Sequence, residues 1–178
     1  MTEAVIVATA RSPIGRANKG SLVSMRPDDM AAQIVRALMA KVPQVQGSDV
    51  QDLMMGIGQP AGEGGFNIGR VVASLAGLGD VPGVTVNRYC SSSMAPNAIF
   101  KGPGERTKLR SQGGQGTWTP PEGLPDMYIA MGQTAENVVE IEGISREDMD
   151  RFGVRSQNLA CAHVDNGFFE REITPLTL

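Results

Sequence analysis

The stretch Val84-Thr-Val-Asn-Arg-Tyr-Cys90-Ser-Ser-Ser-Met94 decides how this chain is read. The β-branched residues at its start favour a strand running to Tyr89, and the serines after Cys90 can open a helix. A thiol at such a junction meets the first unpaired helix N–H groups and the positive end of the helix dipole. Both favour the thiolate. Cys90 is therefore a candidate nucleophile, with a buried structural cysteine as the other reading that position alone leaves open.

Outward from that stretch, the chain has the size and make-up of one sizeable domain. It has 178 residues, 41% of them hydrophobic and 20% charged, enough for a core of its own. A net charge of -3 gives no general attraction to nucleic acid or anionic membranes. Two cysteines, Cys90 and Cys161, are too few for a disulfide framework and favour a reducing compartment. The apolar run Ala4-Val-Ile-Val-Ala8 is short and preceded by an acid, so it does not read as a signal peptide. No run approaches membrane-spanning length, and the expected location is cytoplasmic.

The first ninety residues alternate. Residues 4–9 form a candidate strand apolar enough to be buried on both faces. Pro27, Asp28 and Asp29 open a helix in which Met30, Ile34, Val35 and Leu38 recur at helical spacing, and Lys41 and Pro43 end it. Leu53-Met-Met-Gly-Ile57 is a second strand, with Gly56 and Gly58 where backbone passes close to a neighbour. The loop Ala61-Gly-Glu-Gly-Gly65 lacks the Gly-Lys-Ser/Thr tail of a phosphate loop and reads as a crossover. Asn67 can cap the next helix, whose apolar face is Ile68, Val71, Val72 and Leu75, and Gly77 and Gly79 stop it. Strand, helix, strand, helix, strand predicts an α/β fold with a mostly parallel sheet and chemistry at the strand C-terminal ends.

After Phe100 the pattern breaks. Lys101 to Asp126 holds six glycines and four prolines with few large apolar side chains, and reads as irregular. Helical spacing returns at Ala130–Val139 and again from Ser145, an N-cap with Asp148 at the capping-box position. Phe152, Ser156, Leu159 and His163 share one face of that second helix. Glu170 to Thr177 alternates like an edge strand. The expected organisation is thus an α/β core over 1–100, an irregular segment over 101–126, and helices with a final strand over 127–178.

Together, Ala8-Thr-Ala-Arg-Ser-Pro-Ile-Gly15, Val86-Asn-Arg-Tyr-Cys-Ser-Ser-Ser93, Met131-Gly-Gln-Thr-Ala-Glu-Asn137, Ile144-Ser-Arg-Glu147, Arg155-Ser-Gln157 and Asn166-Gly-Phe-Phe-Glu-Arg-Glu-Ile173 resemble the thiolase family, which comprises the acetyl-CoA acetyltransferases and 3-ketoacyl-CoA thiolases. The resemblance covers residues 1–95 and 127–178, about the N-terminal half of a family member. It implies a thiolase-like N-terminal half, a mostly parallel mixed sheet with flanking helices. It assigns Cys90 as the acyl-accepting nucleophile and places Met131 beside the thioester and pantetheine end of the substrate. Coenzyme A thioesters are then substrates, and no separate cofactor or metal is implied. The strand before Cys90 would pair across a dimer axis.

Two departures set the expectations for activity. The Gly-His-Pro and Asn-Glu-Ala-Phe motifs and the second catalytic cysteine of the family's C-terminal half do not occur in this sequence. The 101–126 segment stands where the family has a core strand, so one strand is expected to be lost. His163, the single histidine, reads as a solvated helix-end residue rather than the partner of Cys90, and Cys161 as ordinary packing. Asp28, Asp29, Glu136 and Glu140 fit helix ends and solvated faces better than a metal site. The expected function is a thiolase-type acyltransferase, incomplete on its own. The alternatives are a non-catalytic subunit that binds acyl-CoA or a full-length thiolase, and a chain completed by a separate C-terminal half. The run Asn87-Arg-Tyr-Cys90 leans towards the degradative type.

Overall fold

The structure is a computed structural model that describes residues 3–16, 18–58, 60–92, 122–123, 129 and 131–178. The chain divides into two units, Met1–Ile99 with Gly167–Leu178, and Phe100–Asn166.

The first unit is built on a β-α-β crossover. Strand β1 (Leu53–Gly56) pairs in parallel with β2 (Gly83–Val86), Leu53 opposite Gly83 and Gly56 opposite Val86. Between them runs helix α2 (Ile68–Leu75), and helix α1 (Pro27–Lys41) precedes both strands and packs on α2. Alternate residues of the first strand, Leu53, Met55 and Ile57, face Ile68, Val72 and Ala73 of α2, with Leu78 and Val81 closing the cluster. Ile68 and Val72 are fully buried. α1 contributes Ala31, buried like its neighbour Ala32, while the larger Ile34, Val35 and Leu38 are only half-buried. A small residue at the contact lets the helices approach closely, and the bulkier side chains flank it.

The ends of α1 and α2 follow from local chemistry. Pro27 occupies the first turn of α1, where its missing N–H costs nothing. Gly77, at φ 85°, ends α2: its N–H reaches the Ser74 carbonyl (3.2 Å) and the Leu78 N–H the Ala73 carbonyl (2.8 Å), with Leu78 buried. That paired arrangement satisfies two otherwise orphaned carbonyls, and a left-handed residue is what it requires. Arg36 of α1 takes a third, the Leu75 carbonyl, at 2.7 Å.

Two expectations need correction here. Residues 4–9 form no strand, and Val5, Ile6 and Val7 are 73%, 87% and 71% exposed. A strand apolar on both faces needs a sheet to join and layers packed over both of its faces. Among the described residues the first backbone pairing of this segment comes only at Arg11, in a parallel bridge with Ile173. The C-terminal strand is likewise reduced to that bridge, following a 3-10 turn at Phe168–Arg171. Side chains hold the junction: Arg11 pairs with Glu172 at 2.8 Å, and Lys41 donates to the Thr9 and Arg171 carbonyls at 2.9 Å each. Asp28 stands in the first turn of α1, as expected, and is buried there with Arg26 paired to it at 2.7 Å.

In the second unit, α3 (Met131–Glu142) ends at Gly143, φ 63°, and α4 (Arg146–Asp165) follows. Ser145 caps α4 as expected: its Oγ accepts the Asp148 N–H at 3.1 Å and donates to Asp148 Oδ2 at 2.6 Å. No described residue of either helix is buried. The expectations for 101–126, apart from Glu122 and Gly123, and for a helix after Cys90 lie outside the described residues.

Candidate active site

β2 ends at Val86, whose carbonyl accepts the Ile57 N–H at 2.9 Å. The chain then bends through Asn87 and Arg88 into a 3-10 turn, Tyr89–Ser92, with Cys90 inside it. The sequence pointed to an α-helix starting here. The described residues form a 3-10 turn, and the continuation expected as a helix lies outside them. The bend is set at both ends by side chains. Asn87 Oδ1 accepts the Tyr89 N–H at 2.8 Å, and Ser92 Oγ accepts the Arg88 N–H. The Ser91 N–H closes the turn on the Arg88 carbonyl at 3.0 Å. Tyr89 between them has φ 48°, a left-handed conformation that is uncommon for a residue with a side chain. Such conformations persist where the surroundings impose them, and they cluster at functional sites.

The sheet was shaped to receive this turn. A Cβ on Gly56 would run into the backbone carbonyl of Ser92, and one on Gly58 would lie 3.2 Å from the Tyr89 carbonyl oxygen. The two glycines expected to admit close backbone thus admit the Cys90 turn. β2 is fixed in the same manner on its other side. Gly69 and Gly83 have no room for a side chain because the first turn of α2 lies against the β2 backbone. Asn67 does not cap α2. Its Nδ2 donates to the Gly83 carbonyl (2.8 Å), and its Oδ1 accepts from Thr85 Oγ1 (2.9 Å). Thr85 Oγ1 in turn accepts the Gly69 N–H at 3.2 Å, so the cap comes from the strand. Thr85 was not singled out in the sequence. A hydroxyl in the strand opposite an Asn that precedes a helix was the available signal.

Cys90 and Cys161 are both exposed free thiols. For Cys161, on α4, this corrects the expectation of ordinary packing. Met131 is the first residue of α3 and is 71% exposed. His163 lies in the last turn of α4. Met131 and His163 belong to the second unit and Cys90 to the first. Among the described residues no three His, Cys, Asp or Glu side chains gather as a metal would require. A shallow concavity of about 360 Å³ is lined by Gly47, Val50, Leu78 and Asp80, residues leading into the strand N-terminal ends. It is at the opposite end of the sheet from the Cys90 turn.

An exposed thiol on a constrained turn at the C-terminal end of parallel strands can attack an electrophilic carbonyl and carry an acyl group. The chain is 39% identical over 193 residues to the 3-ketoacyl-CoA thiolase of Bacillus subtilis (strain 168), covering 99% of this chain and 49% of that protein. It is 37% identical over 211 residues to the beta-ketoadipyl-CoA thiolase of Acinetobacter baylyi, covering 100% and 52%. Both alignments are longer than the chain, so these relatives carry residues inside the matched span that it lacks. The crystal structure of the Bacillus anthracis acetyl-CoA acetyltransferase superposes with a TM-score of 0.75 at 27% identity, over 98% of this chain and 50% of that one. The chain spans about half the length of the curated relatives it matches. The family model for the thiolase N-terminal domain matches residues 4–105 and 104–178, two pieces that meet in the glycine- and proline-rich stretch, and the chain belongs to the thiolase family.

Proposed function

We propose that this chain supplies the nucleophilic half of a thiolase-type acyl-CoA acyltransferase, with Cys90 as the acyl carrier. The observation that carries the reading is the exposed Cys90 thiol, held on a turn for which the sheet keeps Gly56 and Gly58 free of side chains. In the degradative direction, the deprotonated Cys90 sulfur attacks the keto carbon of a 3-ketoacyl-CoA. The bond between that carbon and the adjacent CH₂ breaks, and its electron pair leaves on acetyl-CoA, which takes up a proton. The acyl group stays on sulfur as a thioester, and the thiolate of a second coenzyme A displaces it. Two modest steps replace one difficult carbon–carbon cleavage. Met131, exposed at the start of α3, lines the thioester end of the substrate in this reading. The proton transfers and oxyanion donors come from outside the described residues of this chain, and each contributes on the order of 10²–10³-fold.

The test is incubation of the full chain with acetyl-CoA, followed by intact mass measurement. An acetyl adduct that Cys90→Ala abolishes and Cys161→Ala leaves intact is the expected result. Absence of both the adduct and acetoacetyl-CoA thiolysis would sink autonomous acyl transfer.

A second reading is favoured by the exposed apolar run Val5-Ile-Val7 and by the half-length match. Here the chain acts with a partner, either a full-length thiolase or a separate C-terminal half, and turnover appears only in the mixture. Thiolysis restored by adding the partner, and lost again with Cys90→Ala, supports it. A homodimer active alone excludes it. The two unpaired cysteines suit a cytoplasmic setting, and no described helix is long and apolar enough to cross a membrane.

A further inference from the structure

The Cys90 turn holds a residue that would leave its conformation if released. Tyr89 sits at φ 48°, and its ring is mostly exposed, so packing of the side chain does not hold it there. What holds it is a pair of side-chain acceptors, one from each end of the turn. Asn87 Oδ1 takes the Tyr89 N–H at 2.8 Å, and Ser92 Oγ reaches back four residues to the Arg88 N–H. The two consecutive peptides that flank Arg88 are therefore each oriented by a side chain, and neither by the sheet ladder, which ends at Val86. Upstream the strand cannot give, because Asn67, Thr85 and the interlocked Gly69 and Gly83 fix β2 to α2. Downstream, the Ser92 backbone abuts Gly56. With both flanks fixed, the direction of the Cys90 side chain depends on the peptides between them.

We infer that Asn87 and Ser92 are positioning residues for Cys90, clamping the turn so that the thiol is presented outward from the strand ends. The inference rests on Cys90 being the reactive thiol, and it adds the two groups that aim it. If either clamp is lost, Tyr89 relaxes to negative φ, the peptide before Cys90 rotates, and the thiol swings in towards the β1 glycines. A serine or threonine at 92 supplies the needed oxygen, whereas alanine does not. A glycine at 89 adopts positive φ without help.

The experiment follows alkylation of Cys90 by iodoacetamide in the full chain carrying Cys161→Ser, read by intact mass, alongside the urea midpoint. Asn87→Ala and Ser92→Ala are expected to slow alkylation by about threefold or more, because a thiol turned in towards the β1 glycines is less accessible to the reagent. Ser92→Thr is expected to restore the rate, and so is Tyr89→Gly placed on Asn87→Ala. A role confined to general stability would move the midpoint without this pattern of rescue. Alanine variants that alkylate at the original rate or faster overturn the inference, as does failure of both rescues. Alkylation requires neither acetyl-CoA nor a partner. Loss of the acetyl adduct test therefore bears on the proposed function, whereas loss of clamp-dependent alkylation bears on the positioning.

Discussion

Replacing Gly56 with alanine tests whether the end of β1 fixes the Cys90 turn. A methyl group there would lie 2.5 Å from the Ser92 carbonyl carbon and 3.0 Å from its Cα, with the carbonyl oxygen closer still. All three are backbone atoms, so no flexible side chain can swing aside. The turn must retreat by roughly an ångström, which changes how far the thiol is exposed to a labelling reagent; in a reaction between groups held in alignment a shift of that size costs on the order of 10²-fold. Overpacking of this kind also lowers stability by about 1–3 kcal/mol. The assay is the urea midpoint of the full chain, together with iodoacetamide labelling of Cys90 in a Cys161→Ser background. Gly79→Ala is the control, because nothing lies within 4 Å of a Cβ built there. A Gly56→Ala chain that keeps both the midpoint and the labelling rate would refute the argument that the glycine exists to seat the turn.

Other expectations follow from named contacts. Thr85→Val keeps the shape but removes the hydroxyl that serves Gly69 and Asn67, and is expected to lower stability by about 1–3 kcal/mol in urea unfolding. Ile68→Ala empties a fully buried site and is expected to cost about 2–5 kcal/mol by the same measurement. Burial alone would raise the Asp28 carboxyl, but the Arg26 and Asp29 hydrogen bonds and the Arg26 charge outweigh it and hold the group below its ordinary value. Its stabilisation is therefore full above the unfolded value near 3.8 and fades as pH falls through the lower folded value. Asp28→Asn should flatten that acid limb of a midpoint-against-pH plot. Ser145→Ala removes the α4 cap and is expected to cost about 1 kcal/mol, seen as reduced helicity by circular dichroism.

What could be read in the sequence was what neighbouring residues decide. Pro27 and Lys41 bound α1, Gly77 and Gly143 stop their helices, and Ser145 caps α4 because each acts within a turn of its own position. The strand–cysteine junction was legible for the same reason, and Gly56 and Gly58 declared a close approach without naming what approaches. The misreadings all involve distant partners. Asn67 had the chemistry of a cap, but Thr85 and Gly83, brought alongside by the crossover, took its side chain. Residues 4–9 have the composition of a buried strand, yet a ladder needs a second chain segment, and composition cannot provide one. At the site, the sequence pointed to the thiol. Asn87 and Ser92, which bend the backbone around it, have no signature beyond being short polar residues two and seven positions past Thr85.

The division of the chain has a consequence for how it folds. The unit Phe100–Asn166 is an excursion between two parts of one body, since Gly167–Leu178 returns to the unit formed by Met1–Ile99. The returning tail is tied by Gln33, whose side chain both donates to the Thr177 carbonyl and accepts the Thr177 N–H at 2.9 Å, across 144 positions of sequence. Those ties form only after the ends of a long excursion meet, and that entropic cost grows by about 0.6 kcal/mol for each doubling of its length. The tail should therefore be among the last elements to lock in and the first to peel away. Replacing the excursion with a short flexible linker would make the tail dock faster and hold more tightly, with no new contact formed.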